Sequence, residues 1–430
     1  MQTSWYEAYT SLQQRIKTYA RHAHWTMCGL SLCVDAFTRL DDRSDAILRA
    51  GPPQAQALAA ELRSRAAQGI GGEIRFDWPE GPAWLDAHLS LRTALGGTPA
   101  HAARLLTLLG APALLSLEHR TPEQIAVLDP EMLLAGDGPV RAADVQAEGE
   151  DRPRVYVFEY DAEESIGGAV PPRASRIILR FHDFDLERDE AFLRLSQHLL
   201  RQDGGHGSGI LAGFNSLGSG AALDAGLIEA RQIAVAWRRA GIGLIHLEMA
   251  GYESPACRDH TLEGLSGAMT SIGMSLSEFR ALDSHGGSLE EGLIHLGERL
   301  GLERVSVHAD DWAISATRSD PDREREALMM GCLLASTRAA AGHLTMPTGL
   351  PEHARFEAPP PESQHGDWSI VSCPSPHLRH PRTTLGLGDT FMAGCLLVLG
   401  QPKLAGIGPL AQPMAPEARG QGAFTASHSS

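Results

Sequence analysis

The sequence contains no Cys-x-x-Cys pair and no group of cysteines and histidines at the spacing that zinc sites use. Its six cysteines are scattered, and several lie inside apolar runs, as Cys332 and Cys395 do. Cysteines in such surroundings are typical of small buried core residues rather than redox or metal-binding groups. The pattern fits a protein of the reducing cytoplasm, which is the localisation we expect.

The chain also has little positive charge and no long hydrophobic run. It carries 37 Lys and Arg residues against 53 Asp and Glu residues, which gives a net charge of -16. Such a surface repels nucleic-acid phosphates and anionic lipids. No run of about 18 apolar residues is present, and the N-terminal residues lack a signal-peptide core. We therefore expect no nucleic-acid or membrane partner, only small molecules, and a monomer or a small homo-oligomer.

From about residue 205 onward, the chain shows a regular alternation of short apolar strands and longer helices. This alternation is typical of βαβ units and predicts an α/β fold with a doubly wound, mostly parallel sheet. An earlier apolar run, from Thr26 to Phe37, predicts a strand that is buried on both faces. Asp35 comes near the end of that run, where open α/β sheets place ligand-binding groups.

The strand-like segments near 73–78 and 154–181 fit this alternation poorly and predict a separate, smaller β-rich lid. The expected division of the 430 residues follows from these segments. The larger domain takes residues 1–37, 96–150 and 205–405, and the lid takes approximately 38–95 and 151–204. The Pro-, Gly- and Ser-rich residues 406–430 are expected to form a disordered tail.

The strongest chemical signal is Gly386-Leu387-Gly388-Asp389, which precedes an apolar helix. The two glycines allow a tight turn whose N–H groups face an anion, and the helix N-terminus adds its positive dipole end. Asp389 in the first helical turn can accept the proton of an attacking hydroxyl during phosphoryl transfer. The alternative is that Asp389 only caps the helix and the glycines only turn the chain.

This segment resembles the Gly-x-Gly-Asp signature of ribokinase-like sugar kinases. The order of further motifs is similar to that of the ADP-dependent glucokinase and phosphofructokinase family. Those motifs are Asp35, Gly96-Gly97, Arg176 and His246-Leu247-Glu248. The resemblance implies a ribokinase-like fold and an enzyme that uses Mg²⁺ to transfer the terminal phosphoryl group of ADP to a sugar.

On the acceptor side, the resemblance implies that Asp35, Gly96 and Gly97 bind the sugar. Glu73 resembles a family Glu that meets a sugar hydroxyl. A carboxylate can accept two hydroxyl hydrogen bonds, which suits a polyol. The alternatives are that Asp35 only forms a local turn and that Glu73 lies on a solvated face.

On the phosphate side, the resemblance implies an anion hole over Gly386, Leu387 and Gly388 and a catalytic, phosphate-contacting Arg176. It links Glu248 to the magnesium site. A buried carboxylate in an apolar strand is costly unless it binds a cation or a donor, which supports that link. The alternative for Arg176 is an ordinary surface position on the lid.

One segment departs from the family pattern. The family shows Gly-x-Asn-Glu-x-Glu after the His-x-Glu strand, whereas this chain has Ser275 and Leu276 in place of Asn and Glu, and keeps Glu278. We assign Glu278 with Glu248 to the metal. Two other functions remain open: an ATP-dependent kinase of the wider ribokinase-like group, and a non-catalytic sugar- or nucleotide-binding protein with weakened metal chemistry. His308 ends an apolar strand, is typical of a core histidine, and is left out of the catalytic set.

Overall fold

The computed structural model describes residues 2–282 and 287–402, so the predicted tail over 406–430 lies outside the described residues. The described strands form one sheet of eleven strands and one of five. The strands are β1 (Thr26–Gly29), β2 (Cys33–Arg39), β3 (Gly72–Arg75), β4 (Arg92–Gly96), β5 (Ala113–Leu115), β6 (Leu133–Ala135), β7 (Pro139–Arg141), β8 (Val155–Tyr160), β9 (Ser175–Arg180), β10 (Ser208–Leu211), β11 (Leu244–Glu248), β12 (Ser271–Ser275), β13 (Arg304–His308), β14 (Trp312–Thr317), β15 (Ser363–His365) and β16 (Trp368–Pro374).

Several of the helices begin and end at ordinary capping signals. The helix α11, for example, starts with a capping box formed by Ser288 and Glu291 and ends at Gly301 in the left-handed region. The helices are α1 (Gln2–Arg21), α2 (Asp42–Ala50), α3 (Pro53–Ala67), α4 (Gly81–His88), α5 (Thr98–Leu109), α6 (Pro122–Ala126), α7 (Glu190–Gln202), α8 (Ala221–Arg239), α9 (Pro255–Leu265), α10 (Leu276–Leu282), α11 (Leu289–Leu300), α12 (Pro321–Ala341) and α13 (Leu387–Leu399). None of the described helices is both long and apolar enough to cross a membrane.

The larger sheet has the order β15-β16-β14-β13-β12-β11-β10-β1-β5-β6-β7. Its strands from β13 to β6 pair in parallel, and antiparallel pairs occur only toward the two edges. The helices α1, α5, α12 and α13 cover one face, while α7, α8, α9 and α11 cover the other. This confirms the predicted doubly wound, mostly parallel α/β architecture.

The smaller sheet has the order β3-β9-β8-β2-β4 and is covered on one face by α2, α3 and α4. Successive side chains along a strand point to opposite faces of the sheet, which explains why one face is apolar and the other is charged. On β8, Tyr156, Phe158 and Tyr160 point into the apolar core beneath the helices. The intervening Glu159, and Arg176 opposite it on β9, belong to the other face. That face is turned toward the larger sheet.

The prediction of one strand from Thr26 to Phe37 is wrong. The chain forms β1 in the larger sheet and then crosses to form β2 in the smaller one. Asp35 is therefore the third residue of β2 and does not end a strand of the larger sheet. The expected domain boundary at 37 falls inside β2, and α7, which was included in the lid segment 151–204, packs in the core of the larger sheet.

Candidate active site

The N-terminus of α13 faces the smaller sheet, whose Arg176 bonds to Thr384 just before the helix, and we call the space between them the cleft. Gly386 adopts a φ of 60° and precedes the helix, and its carbonyl accepts the N–H of Thr390 at 3.0 Å. Helix geometry leaves the N–H groups of Leu387, Gly388 and Asp389 without a helical acceptor. These three donors and the helix dipole can hold an anion at this point, as the sequence predicts.

Asp389 lies beside those donors and is partly exposed to the cleft. Burial raises the pKa of its carboxyl group above the ordinary value. A hydrogen bond with Thr98 and the charges of Arg338 and Arg176 oppose that rise, while the charge of Glu248 adds to it. A carboxylate with a raised pKa is a better proton acceptor, which suits a general base.

Asp35 extends from the smaller sheet toward the same space and is buried. Burial raises its pKa to about 7, and the negative charge of Asp389 contributes to the rise. The thiol of Cys33 donates to Oδ1 of Asp35 at 3.4 Å. The two carboxylates are close enough to interact electrostatically. The structure thus brings Asp35, which we predict to bind the sugar, near Asp389, which we predict to be the base. Asp35 lies inside a strand, which rules out the local-turn alternative.

Gly96 and Gly97 join β4 to α5 immediately beside Asp35. A Cβ atom at Gly96 would collide with the carboxylate of Asp35. Gly97 has a φ of 95°, and a Cβ atom there would lie 2.7 Å from the carbonyl oxygen of Ser31. Neither position has room for a side chain, because Asp35 lies against Gly96 and the backbone of Ser31 lies against Gly97. The two glycines therefore let the start of α5 reach the cleft.

Two further groups from the smaller sheet face the cleft. Nη1 of Arg176 donates to the carbonyl oxygen of Thr384 at 3.0 Å, just before the anion-binding turn. Glu73 pairs with Nε of Arg180 at 2.6 Å and accepts from Nδ2 of Asn215 at 3.1 Å. These contacts rule out both the surface position for Arg176 and the solvated face for Glu73.

With this geometry in place, the chain can be compared with known proteins. Its residues 53–398 match the model of the ADP-specific phosphofructokinase/glucokinase conserved region. The chain belongs to the ADP-specific phosphofructokinase/glucokinase family. The resemblance noted in the sequence is thereby confirmed for most of the chain.

One curated relative has a sequence that differs widely from that of this chain. The chain is 27% identical over 124 residues to the ADP-dependent glucose/glucosamine kinase of Pyrococcus abyssi, a match that covers 25% of this chain and 27% of that protein. It therefore aligns with only about a quarter of this curated relative.

Solved structures of family members show the same fold over nearly the whole chain. An ADP-dependent kinase in complex with fructose-6-phosphate and ADPβS is 18% identical, with a TM-score of 0.74 over 93% of this chain and 99% of that one. A phosphofructokinase from Pyrococcus horikoshii OT3 with AMP is 16% identical, with a TM-score of 0.68 over 88% of this chain and 98% of that one.

Of the two carboxylates predicted to bind Mg²⁺, Glu248 ends β11, and Glu278 lies in the first turn of α10, which follows the neighbouring strand β12. Burial raises the pKa of Glu248, but the hydrogen bond with His246 and the interaction with His308 outweigh it, so that the pKa lies below its ordinary value. Oε2 of Glu248 is 2.9 Å from Nε2 of His246, and Oε1 is 3.6 Å from Nε2 of His308. Glu248 is therefore a buried carboxylate that remains ionised.

Glu278 has a local partner. Its Oε2 accepts from the backbone N–H and the hydroxyl of Ser275, both at 2.7 Å, which caps the start of α10. Within 2–282 and 287–402, no group of three His, Cys, Asp or Glu residues is arranged to hold a metal ion. Mg²⁺ often binds through only one or two carboxylates, with waters and substrate phosphates as its other ligands, so Glu248 and Glu278 stay predicted metal ligands.

The structure also places at the site two residues that sequence reasoning left out. His308 packs against the anion-binding turn: a Cβ atom at Gly388 would lie 3.2 Å from its ring atoms Cε1 and Nε2. Arg338 reaches the same turn from α12. The sequence did offer one signal for His308, because it ends an apolar strand, where open α/β sheets place ligand-binding groups. No local pattern marks Arg338, because its contact depends on helix packing.

Proposed function

We propose that the protein transfers the terminal phosphoryl group of ADP to a hydroxyl group of a sugar. The observation that carries this proposal is the convergence of Asp389, Asp35 and Arg176 on one helix N-terminus. A base, a polyol ligand and a cation come from three separate elements and meet where N–H donors can hold a phosphate.

Each of these groups has a distinct task. Asp35, with Gly96 and Gly97 leaving room beside it, binds the sugar so that one hydroxyl lies against Asp389. Asp389 accepts the hydroxyl proton as the oxygen bonds to the terminal phosphorus. The bond from that phosphorus to the bridging oxygen of ADP breaks, and AMP leaves. Because the raised pKa of Asp389 improves proton acceptance, the carboxylate suits this step.

The charge that develops during transfer is met by fixed donors. The N–H groups of Leu387, Gly388 and Asp389 and the guanidinium group of Arg176 face the transferred group. Such preorganised donors act most strongly where water is excluded. Contacts between the smaller sheet and the larger one, including Arg176 with Thr384, support closure over the reacting groups.

Glu73 extends the acceptor side of the site. Its carboxylate is held by Arg180 and Asn215, and burial raises its pKa. A carboxylate fixed in this way can accept a second sugar hydroxyl, as we propose. Glu248 and Glu278 would hold Mg²⁺, largely through water, and the ion would neutralise charge on the donor phosphates.

A second candidate function has one observation in its favour. The only carboxylate kept from the family's Asn-Glu-x-Glu segment, Glu278, is engaged by Ser275 in capping its own helix. A protein that binds sugar and nucleotide without turning them over would tolerate this change. The intact Asp389 favours catalysis, since a binding protein has no use for the base.

A single panel of assays tests the proposal. Purified protein with Mg²⁺ is given ADP or ATP at matched concentrations, each with sugars, sugar phosphates and nucleosides. We expect AMP and a phosphorylated sugar, with faster turnover from ADP than from ATP. Equal or faster turnover with ATP contradicts the proposed donor. Binding of sugar and nucleotide without any turnover would instead establish the second candidate.

A further inference from the structure

Arg338 joins the last turn of α12 to the first turn of α13. The residue is only 7% exposed. Its Nη1 donates to the carbonyl oxygen of Gly386 at 3.2 Å and to Oγ1 of Thr390 at 3.1 Å, and that hydroxyl donates to the same carbonyl at 2.7 Å. One carbonyl, that of the residue which turns the chain into α13, is therefore held from two side chains.

The packing of the two helices fixes this contact. A Cβ atom at Gly394 of α13 would lie 2.8 Å from the Cα atom of Gly331 of α12, so the backbones touch. At the other end of the contact, a Cβ atom at Gly386 would lie 2.6 to 2.8 Å from the guanidinium atoms of Arg338. Glycine at 386 thus provides both the positive φ and the space that the guanidinium group fills.

Arg338 retains a charge that its surroundings do not fully balance. Burial, aided by Arg104 and Arg176, lowers its pKa to about 10, although Asp389 and Glu159 oppose this, so it remains charged at neutral pH. Its Nε is buried and has no hydrogen-bond partner among the described residues. A buried cation without a direct carboxylate partner is costly.

The hydrogen bonds that Arg338 donates indicate the role of its positive charge. A cation in the last turn of a helix commonly bonds to the final carbonyls of its own helix. The bonds of Arg338 go to the start of α13, where a second positive charge adds to the helix dipole. That addition opposes helix stability unless negative charge lies at the N-terminus, where the carboxylate of Asp389 supplies one such charge and a bound anion would add another.

We propose that Arg338 is a positioning residue of the phosphoryl-transfer site. It holds the carbonyl of Gly386 so that the N–H groups of residues 387–389 face the cleft, and its charge stabilises negative charge at that helix N-terminus. It also favours the ionised form of Asp389. The inference rests on the proposed kinase function and adds to it the part that orients the anion-binding turn.

Several groups set the ionisation of Asp389 together with Arg338. Thr98 and Arg176 favour the carboxylate, and Glu248 opposes it. Asp35 and His308 interact with the same charge from their own strands. Loss of Arg338 removes one of the two nearby cations that lower the pKa of Asp389, so the base would ionise at higher pH.

The test compares three variants of the full chain by steady-state kinetics, pH profiles and thermal melts. Arg338→Met keeps the apolar stem without charge, and Arg338→Lys keeps the charge without the fork-shaped donor. Arg325→Met is the control, because Arg325 lies near the opposite end of the same helix and pairs there with Glu362 and Asp322. The parent protein is assayed first. If it does not phosphorylate any sugar, that result refutes the proposed kinase function and not the proposed role of Arg338.

With an active parent, Arg338→Met should lower kcat by about 100-fold or more, the scale seen when one oxyanion donor is removed, with the sugar KM changed much less. The acid limb of its kcat/KM profile should move to higher pH. In Arg338→Lys, that limb should return toward the parent while kcat stays reduced. Arg325→Met should match the parent.

Two results would overturn the inference. One is a parent-like kcat in Arg338→Met or in Arg338→Lys. The other is a loss of kcat with an unmoved acid limb and a lowered melting temperature, which would mean that Arg338 only supports helix packing. If Arg338→Met does not fold, the folded Arg338→Lys variant decides: a parent-like kcat refutes the proposal, and a reduced kcat with an unmoved melting temperature supports it.

Discussion

The two sheets of this protein handle polar groups in opposite ways. Helices cover both faces of the larger sheet, and its central strands are apolar, as Met27 and Cys28 of β1 illustrate by packing into opposite cores. Helices cover only one face of the smaller sheet, and its other face carries charged side chains. Among those side chains are Asp35, Glu73, Glu159, Arg176 and Arg180.

This difference shows which groups each sheet contributes to the cleft. The larger sheet offers few charged groups, so its contribution comes from chain ends: the helix N-terminus of α13 and carboxylates at strand ends. The smaller sheet can present charges along whole strands because one face never has to join a core. In the function we propose, the helix N-terminus binds the phosphate from one side, and the charged face of the smaller sheet binds the substrate from the other.

The largest effect is expected where the larger sheet supplies the base. Asp389→Asn keeps the size and most hydrogen bonding of the side chain but cannot take the sugar proton. Turnover should fall by about 10²- to 10⁴-fold, the usual worth of a positioned general base, while sugar affinity changes much less. Steady-state kinetics with a thermal melt measures both.

A matched control separates catalysis from helix capping. Asp224→Asn makes the same change in the first turn of α8, at an exposed residue away from the cleft. It should leave turnover unchanged. Near-parent turnover in Asp389→Asn as well would mean that Asp389 is only a cap, since Asn is itself a good capping residue.

A smaller effect is expected at the strand end that faces the donor phosphates. Glu248→Gln removes a charge but keeps the shape and the neighbouring His246. We expect an increase of about 10- to 100-fold in the Mg²⁺ concentration for half-maximal rate, with little loss of folding. A Mg²⁺ titration that superimposes on the parent's would return Glu248 to a structural role. Glu229→Gln, on α8 and paired with Arg188, is the control.

The smallest effect tests the cost of charge on the smaller sheet. Burial raises the pKa of Asp35 from its ordinary value of 3.8 to about 7 in the folded chain, so folding disfavours the ionised form. Below about pH 4 both states hold the proton and no cost arises. Between pH 4 and 7 the unfolded chain ionises first, so this group lowers stability as pH rises, and the full cost persists above pH 7.

Asp35→Asn should therefore be more stable than the parent at pH 8 and nearly equal to it at pH 4. The gain should be on the order of 1–2 kcal/mol, less than the full shift implies because the new amide must also be desolvated. Thermal melts of both proteins across this range measure it. A difference that does not grow with pH would contradict the assigned burial of the Asp35 charge.

Local patterns predicted those parts of the molecule whose geometry is local. The Gly386 turn and Asp389 were predicted because two glycines and a following helix fix the backbone within a few residues. The family resemblance, carried by short ordered motifs, predicted the fold and the matched positions. Glu278 stays a predicted metal ligand, although its bonds to Ser275 are those of a helix cap.

The features that sequence reasoning missed depend on tertiary contacts. The run from Thr26 to Phe37 is apolar except near its end, at Asp35, and apolarity does not reveal that the chain changes sheets after Gly29. Arg338 meets Gly386 only because α12 and α13 touch at glycines. Its sequence neighbours give no sign of that approach.

The pairing of β1 has a consequence for the synthesis of the protein. This strand lies in the interior of the larger sheet, between β5 and β10, and it precedes both of these partners in the chain. One of its edges finds its partner only after Ser208 has left the ribosome. During that interval an apolar strand edge is open to other chains, a state that favours aggregation and chaperone binding. Slow translation between β5 and β10 would prolong this exposure, so expression yield should respond to codon choice there.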